Sequence, residues 1–215
     1  MNRDLTTYRK SYEKSFLEEK DLPESPFTLF SKWFKEVETA GGVEEANAMT
    51  ITTIGLDGFP KARIVLLKHF DKDGFVFYTN YNSEKGNAIA YNNKVCISFF
   101  WPNLERQVII KGVVHKIDEE ASTRYFLSRP RGSQLGALAS CQSEVISSRE
   151  SLENKLEALE KQYTDKEIPK PEFWGGYCLD PTEFEFWQGR ANRLHDRIRF
   201  ANHENDNWSI DRLSP

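Results

Sequence analysis

Between Ala48 and Ile117 the chain is a succession of apolar, β-branched segments broken by short turns, and this run decides the architecture. Ala48–Leu56 is rich in β-branched residues, and Leu56-Asp57-Gly58-Phe59 turns it into a second segment, Pro60–Phe70. Asp71-Lys72-Asp73-Gly74 then leads into Phe75–Asn80. Asn82 or Ser83 is placed to N-cap a short helix through Tyr91, and Lys94–Trp101 and Glu105–Ile117 form another hairpin around Pro102-Asn103. Strands joined by such tight connections can only pair antiparallel, and about six of them predict a closed or nearly closed barrel.

The flanking segments are of other kinds. Tyr8, Tyr12 and Phe16 stand four apart in the otherwise polar Met1–Lys20, a stripe too lightly apolar to hold a helix alone. Residues 1–20 are therefore expected to be a mobile arm that docks elsewhere, and residues 21–215 a single domain. Phe27, Phe30, Phe34 and Val37 give Phe27–Ala40 a helical face ending at Gly41-Gly42. From Asp118 the pattern is helical again: Glu119–Ser128, a break at Pro130, Ser133–Ala139, and Ser147–Tyr163 with Leu152, Leu156 and Leu159 inward. After a linker at Ile168–Pro171, strand character returns in Phe173–Leu179, Glu183–Gln188, Arg193–Ala201 and Trp208–Leu213. The class is α+β, mainly β, with a barrel begun, interrupted by helices and completed at the C-terminus.

Charge excludes some functions. With 29 basic and 33 acidic residues the net charge is −4, without the basic excess of a nucleic-acid binder. Cys96, Cys141 and Cys178 are widely spaced, which reads as thiols in a reducing compartment. The four histidines show no metal-ligand spacing to them, so no metal is expected. No apolar run is long enough for a membrane span and the N-terminus has no signal-peptide core, so the cytoplasm is expected.

Three groups could carry chemistry. Arg63-Ile64-Val65-Leu66-Leu67-Lys68 lies on a strand, with Tyr78-Thr79 ending the next and Lys85 at a helix start, where free N–H groups favour anions; this is a phosphate site or a set of exposed charges bordering a core strand. Arg63 and Lys68 are five apart and would face opposite ways on a regular strand, so either a bulge intervenes or they serve different ligands. Tyr125 and Arg129 share a helical face, and Ser133 is placed to cap the next helix; this is a phosphate cradle or a capped helix pair with a surface arginine. In Arg193-Leu194-His195-Asp196-Arg197, alternation on an extended strand puts Arg193, His195 and Arg197 on one face. That face is either a solvated edge or an anion site. Asp196, on the other face, cannot pair with His195 as in a triad.

Taken in order, Arg63 to Lys68, Phe77-Tyr78-Thr79-Asn80, Leu104-Glu105-Arg106-Gln107, Ser128-Arg129-Pro130-Arg131, Phe173-Trp174-Gly175-Gly176 and Phe186-Trp187-Gln188-Gly189 with Arg193 to Arg197 resemble the pyridoxamine 5′-phosphate oxidase family over nearly the whole chain. The resemblance implies a homodimeric, antiparallel FMN-binding split β-barrel with peripheral helices and FMN at the subunit interface. It implies oxidation of pyridoxamine or pyridoxine 5′-phosphate to pyridoxal 5′-phosphate, with O2 as acceptor and H2O2 released. FMN would meet Arg63, Ile64, Val65, Leu66, Leu67, Lys68, Tyr78, Thr79, Lys85, Gln107, Gln142, Ser143, Trp187 and Arg197. Substrate would meet Lys68, Tyr125, Arg129, Ser133, Arg193, Leu194 and His195, with Arg193 and His195 catalytic and Arg9, Lys10, Ser11 and Tyr12 closing over it. The family shows Ser-Arg-Lys where this chain has Ser83-Glu84-Lys85, and Lys85 with Arg63 is expected to make up for the lost cation. A non-catalytic split barrel that binds FMN or pyridoxal phosphate is the rival reading.

Overall fold

The computed structural model describes residues 3–203 and 207–215. Its strands are β1 (Ala48–Ile54), β2 (Pro60–Asp71), β3 (Gly74–Asn80), β4 (Lys94–Trp101), β5 (Arg106–Lys116), β6 (Trp174–Gln188), β7 (Asp196–Asn202) and β8 (Trp208–Arg212). They follow the order β3-β2-β1-β4-β5-β6-β7-β8, and β3 also pairs with β6, so the first six strands close an antiparallel split barrel. The helices are α1 (Pro26–Ala40), α2 (Glu84–Tyr91), α3 (Glu119–Ser128), α4 (Arg131–Ala139) and α5 (Arg149–Gln162). Among the described residues no helix is long and apolar enough to cross a membrane. No disulfide joins Cys96, Cys141 and Cys178.

Three boundaries differ from the sequence expectation. Phe173–Leu179 and Glu183–Gln188 are one strand, because Pro181 falls between the residues paired to β3 and those paired to β7, where no ladder N–H is needed. α4 begins at Arg131 with Pro130 as its N-cap, so Ser133 lies inside the helix and does not cap it. β7 begins at Asp196, and Arg193 belongs to a short 3-10 turn, Ala191–Arg193. Asn192 and Arg193 have φ of 58° and 63°, so the alternation that put Arg193, His195 and Arg197 on one strand face does not hold. Asparagine tolerates the left-handed region through local hydrogen bonding, which makes Asn192 the sequence signal for that turn.

The chain divides into two compact units. One comprises Met1–Met49, Ile97–Lys111 and Pro181–Pro215. In it α1 starts with Pro26, whose missing N–H costs nothing at a helix start, and buries Leu29, Phe30, Trp33 and Val37. Phe30 and Val37 of the expected face are thus buried, whereas Phe27 and Phe34 stay half-buried. Phe30 meets Phe99 edge-on at 5.1 Å, Trp33 meets Phe186 at 5.3 Å, and the Trp101 indole donates to the Ala46 carbonyl at 3.0 Å. The arm ahead of α1 has no α-helix in residues 3–18.

The other unit comprises Thr50–Cys96 and Gly112–Asp180. Phe126, Leu135, Ile168 and Trp174 form a buried cluster covered by Leu156, Leu159 and Tyr163, which fixes α3, α4 and α5 against the start of β6. Ser83 caps α2, its hydroxyl accepting the Gly86 N–H at 3.2 Å. A Cβ on Gly86 would lie 2.0 Å from the Tyr81 carbonyl oxygen, an approach that main chain cannot relieve by a rotamer change. Gly86→Ala should therefore cost about 3 kcal/mol and lower Tm by roughly 6–12 °C in thermal unfolding.

Candidate functional site

The β2–β3 register runs from Leu67↔Phe77 to His69↔Val76, leaving Lys68 with no residue opposite it. This β-bulge resolves the parity conflict, because one extra residue lets Arg63 and Lys68 line the same cavity. The cavity measures about 730 Å³, a size typical of cofactor and substrate sites. Ile64, Val65 and Leu66 also line it, whereas the Leu67 side chain is buried in the core and does not. Tyr78, Thr79, Lys85, Tyr125, Arg129, Ser133, Gln142 and Trp174 are also in its walls, and among the described residues no Asp or Glu lines it.

Lys85 is 9% exposed and is held at the base of α2 by neutral oxygens only. Its ammonium donates to Gln142 Oε1 at 2.7 Å, Thr79 Oγ1 at 3.1 Å and Ser83 Oγ at 3.3 Å. Burial, with the nearby Arg63 charge, pulls its pKa down to about 8. Arg63 is served likewise by Thr53 Oγ1 at 2.8 Å and the Lys61 carbonyl at 2.7 Å, and burial lowers its pKa. Glu84 is turned to Lys61, 2.5 Å away, and lines a neighbouring hollow that Gln142 and Ser143 share.

At the far end of α3 the Arg129 guanidinium lies 4.6 Å from the Trp174 ring centre. Its Nη1 is buried with no hydrogen-bond partner among the described residues, and burial lowers its pKa. A desolvated donor without an acceptor costs free energy, so Arg129 is held here at a cost in stability. Tyr125 stacks on Tyr78 at 3.9 Å, and Ser133 is exposed on the first turn of α4.

In the other unit a second hollow of about 590 Å³ is lined by Tyr8, Arg9, Lys10, Ser11 and Tyr12 from the arm, with Arg190, Asn192, Arg193 and His195. The Arg190 N–H donates to His195 Nδ1 at 3.1 Å, which leaves the neutral ring its proton on Nε2. Burial and then the Arg193 charge lower the His195 pKa. The Trp187 ring is 4.6 Å from the imidazole. Asp196 accepts from the Leu17 N–H at 3.0 Å, Arg190 at 2.8 Å and Arg212 at 2.9 Å, so it fastens structure together. Arg197 is turned to Glu185 in a two-point pair at 2.9 and 3.1 Å and to the Ser214 carbonyl, and Leu194 is 68% exposed; neither lines the hollow. Gln107 is half-buried on β5 and lines neither cavity. Trp174, Arg190 and Asn192 were not among the expected site residues. The turn residues Gly189 and Asn192, on either side of Arg190, were the available signal for the latter two.

The chain is similar to known proteins in sequence and in fold. A family model described as pyridoxamine 5′-phosphate oxidase matches residues 36–163, and one described as pyridoxine 5′-phosphate oxidase C-terminal dimerisation region matches residues 174–215. The pyridoxine/pyridoxamine 5′-phosphate oxidase of Flavobacterium psychrophilum is 62% identical over 213 residues, covering 99% of this chain and 100% of that protein. Its counterpart in Leptospira biflexa is 52% identical over 212 residues, covering 99% of each. Among solved structures, PhzG from Burkholderia lata, in complex with tetrahydrophenazine-1-carboxylic acid, has a TM-score of 0.87 at 28% identity and covers 96% of this chain and 100% of its own. A pyridoxamine 5′-phosphate oxidase-related, FMN-binding protein from Nostoc punctiforme shares the fold with a TM-score of 0.69 at 15% identity, covering 90% of this chain and 100% of its own. With family models matching most of its length and relatives 52–62% identical from end to end, this chain belongs to the pyridoxamine 5′-phosphate oxidase family of oxidases.

Proposed function

We propose that the chain binds FMN and oxidises pyridoxamine or pyridoxine 5′-phosphate to pyridoxal 5′-phosphate, with O2 as acceptor and H2O2 released. It would do so in the cytoplasm as a homodimer with FMN at the subunit interface. The observation that carries this reading is a cavity with four cationic side chains, Arg63, Lys68, Lys85 and Arg129, and no lining carboxylate among the described residues. Two phosphorylated ligands fit two cationic groups, Arg63 with Lys85 and Arg129 beside Tyr125 and Ser133, all of which line the cavity. Family membership and the dimerisation region support the cofactor and the assembly. A dimer also accounts for flavin roles at Gln107, Trp187 and Arg197, which do not line the cavity of their own chain.

Arg63 and Lys85 would hold the FMN phosphate, with Thr79, Gln142 and Ser143 as hydrogen-bonding neighbours. Tyr125, Arg129 and Ser133 would hold the substrate phosphate, and Lys68 would reach both ligands. When bound, FMN supplies the two-electron acceptor for a hydride leaving the substrate's C4′. The chain's own part is placement: anchoring the phosphate end fixes where C4′ can lie. Arg193 would orient the reacting end, and His195, with its proton on Nε2, would hydrogen-bond the oxygen or nitrogen on C4′.

Anaerobic addition of pyridoxine 5′-phosphate to the purified yellow protein should bleach the flavin absorbance, and air should restore it. A yellow protein that stays yellow would be a non-catalytic binder. Arg129→Ala, removing a charged hydrogen bond worth about 2 kcal/mol, should raise KM for the substrate roughly 30-fold; an unchanged KM removes Arg129 from the cradle. The Lys85 ammonium deprotonates near pH 8, so FMN affinity by fluorescence titration should fall as pH rises from about 7 to 9.5. The sign follows from the charge: below pH 8 the cation meets the phosphate, above it the neutral amine does not. Lys85→Met should bind weakly at both ends of that range.

A further inference from the structure

Glu105, in the turn between β4 and β5, is 2% exposed, and its backbone is left-handed at φ 57°, a conformation that costs a non-glycine residue free energy. Its carboxylate is used by the N-terminal arm. Oε2 accepts the backbone N–H groups of Glu13 at 2.9 Å and Lys14 at 3.1 Å, and Oε1 pairs with the Lys10 ammonium at 2.9 Å. Burial works against its ionisation, but Lys10 and the two N–H groups outweigh that and hold its pKa below the usual value. The carbonyl of the same residue accepts the Gly189 N–H at 2.8 Å and Gln188 Nε2 at 3.3 Å. One residue thus grips the arm with its side chain and the end of β6 with its main chain.

What this grip places is Tyr12. Its ring stands edge-on to Trp187 at 5.7 Å and 5.8 Å from the His195 ring. It lies so close over Gly189 that a Cβ there would come within 2.8 Å of Tyr12 Cβ and Cγ. We infer that Glu105 is a positioning residue, which clips the arm so that Tyr12 covers Trp187 and His195 and retains the substrate beside them. The inference rests on reading His195 as a substrate contact, and it extends that reading to a residue that touches no ligand.

Two variants of the full-length protein separate the carboxylate from the turn. Glu105→Gly accepts the left-handed backbone and keeps the carbonyl but removes the clip, and Glu105→Gln keeps one oxygen for the two N–H groups. Hydrogen–deuterium exchange at amides 13 and 14 should quicken about tenfold in Glu105→Gly, the effect of losing one hydrogen bond to a charged group, and stay near the native rate in Glu105→Gln. With pyridoxine 5′-phosphate, KM should rise about tenfold in Glu105→Gly while kcat stays within about twofold, and adding Tyr12→Ala should raise KM no further. Unchanged exchange at amides 13 and 14, a loss in kcat alone, or multiplying effects of Glu105→Gly and Tyr12→Ala would overturn the proposal. A failure of the functional reading would instead show as a native protein without turnover, and the exchange measurement then decides the clip by itself.

Discussion

Burying an ammonium group is costly, and proteins offset the cost with a carboxylate or lower the group's pKa. Lys85 follows the second course, with three neutral oxygens around it and a pKa near 8. Arg63 and Arg129 share the condition, both pushed down by burial. Such an arrangement destabilises the unliganded chain and stabilises a complex with an anion, because the ligand supplies the missing charge. The fold serves that arrangement. The Lys68 bulge turns a second cation into the cavity, the Ser83 cap orients α2, and the Trp174 cluster holds α3 where Arg129 can point inward.

The barrel was legible in the sequence because hairpin turns and period-two burial are local signals, and β1 to β5 lie within a residue or two of where the pattern puts them. The Lys68 bulge was legible only as a conflict of parity, since a bulge leaves no composition of its own. Two failures have different origins. Phe173–Leu179 and Glu183–Gln188 looked like two strands and are one whose pairing partner changes near Pro181, while Arg193 looked like strand and is turn because Asn192 enters the left-handed region. The first depends on which strand supplies the hydrogen bonds, a fact of tertiary pairing, and the second on a local backbone conformation that Asn192 signals. The substitution of Glu84 is of a third kind. Sequence shows a carboxylate beside a phosphate-type group, and only the structure shows Lys61 taking it up.

The region around His195 rests on different physics. No carboxylate bonds to the imidazole there; its orientation comes from a backbone N–H on one side and the Trp187 ring on the other. In its neutral form a ring held in this way keeps Nε2 as a donor, and burial and the Arg193 charge lower its pKa. Asp196, adjacent in sequence, is spent on the Leu17 N–H and two arginines. Adjacency in a chain is thus a poor guide to partnership where a strand begins, because successive side chains diverge.

The net charge of −4 conceals a division of labour among the cations, and the division can be read from where the carboxylates go. Arg106 has Glu36, Arg197 has Glu185, Arg199 has Asp211, and Arg190 and Arg212 share Asp196. Each pair ties two segments together. Arg63, Lys85 and Arg129 have no carboxylate in contact among the described residues, although Glu84 sits next to Lys85 in sequence and was available. A chain with more acids than bases that still leaves these cations unpaired does so at a cost in stability. Three such cations, Arg63, Lys85 and Arg129, line one cavity that has no carboxylate in its wall among the described residues, and it is this convergence, more than any motif, on which the proposed anion binding rests.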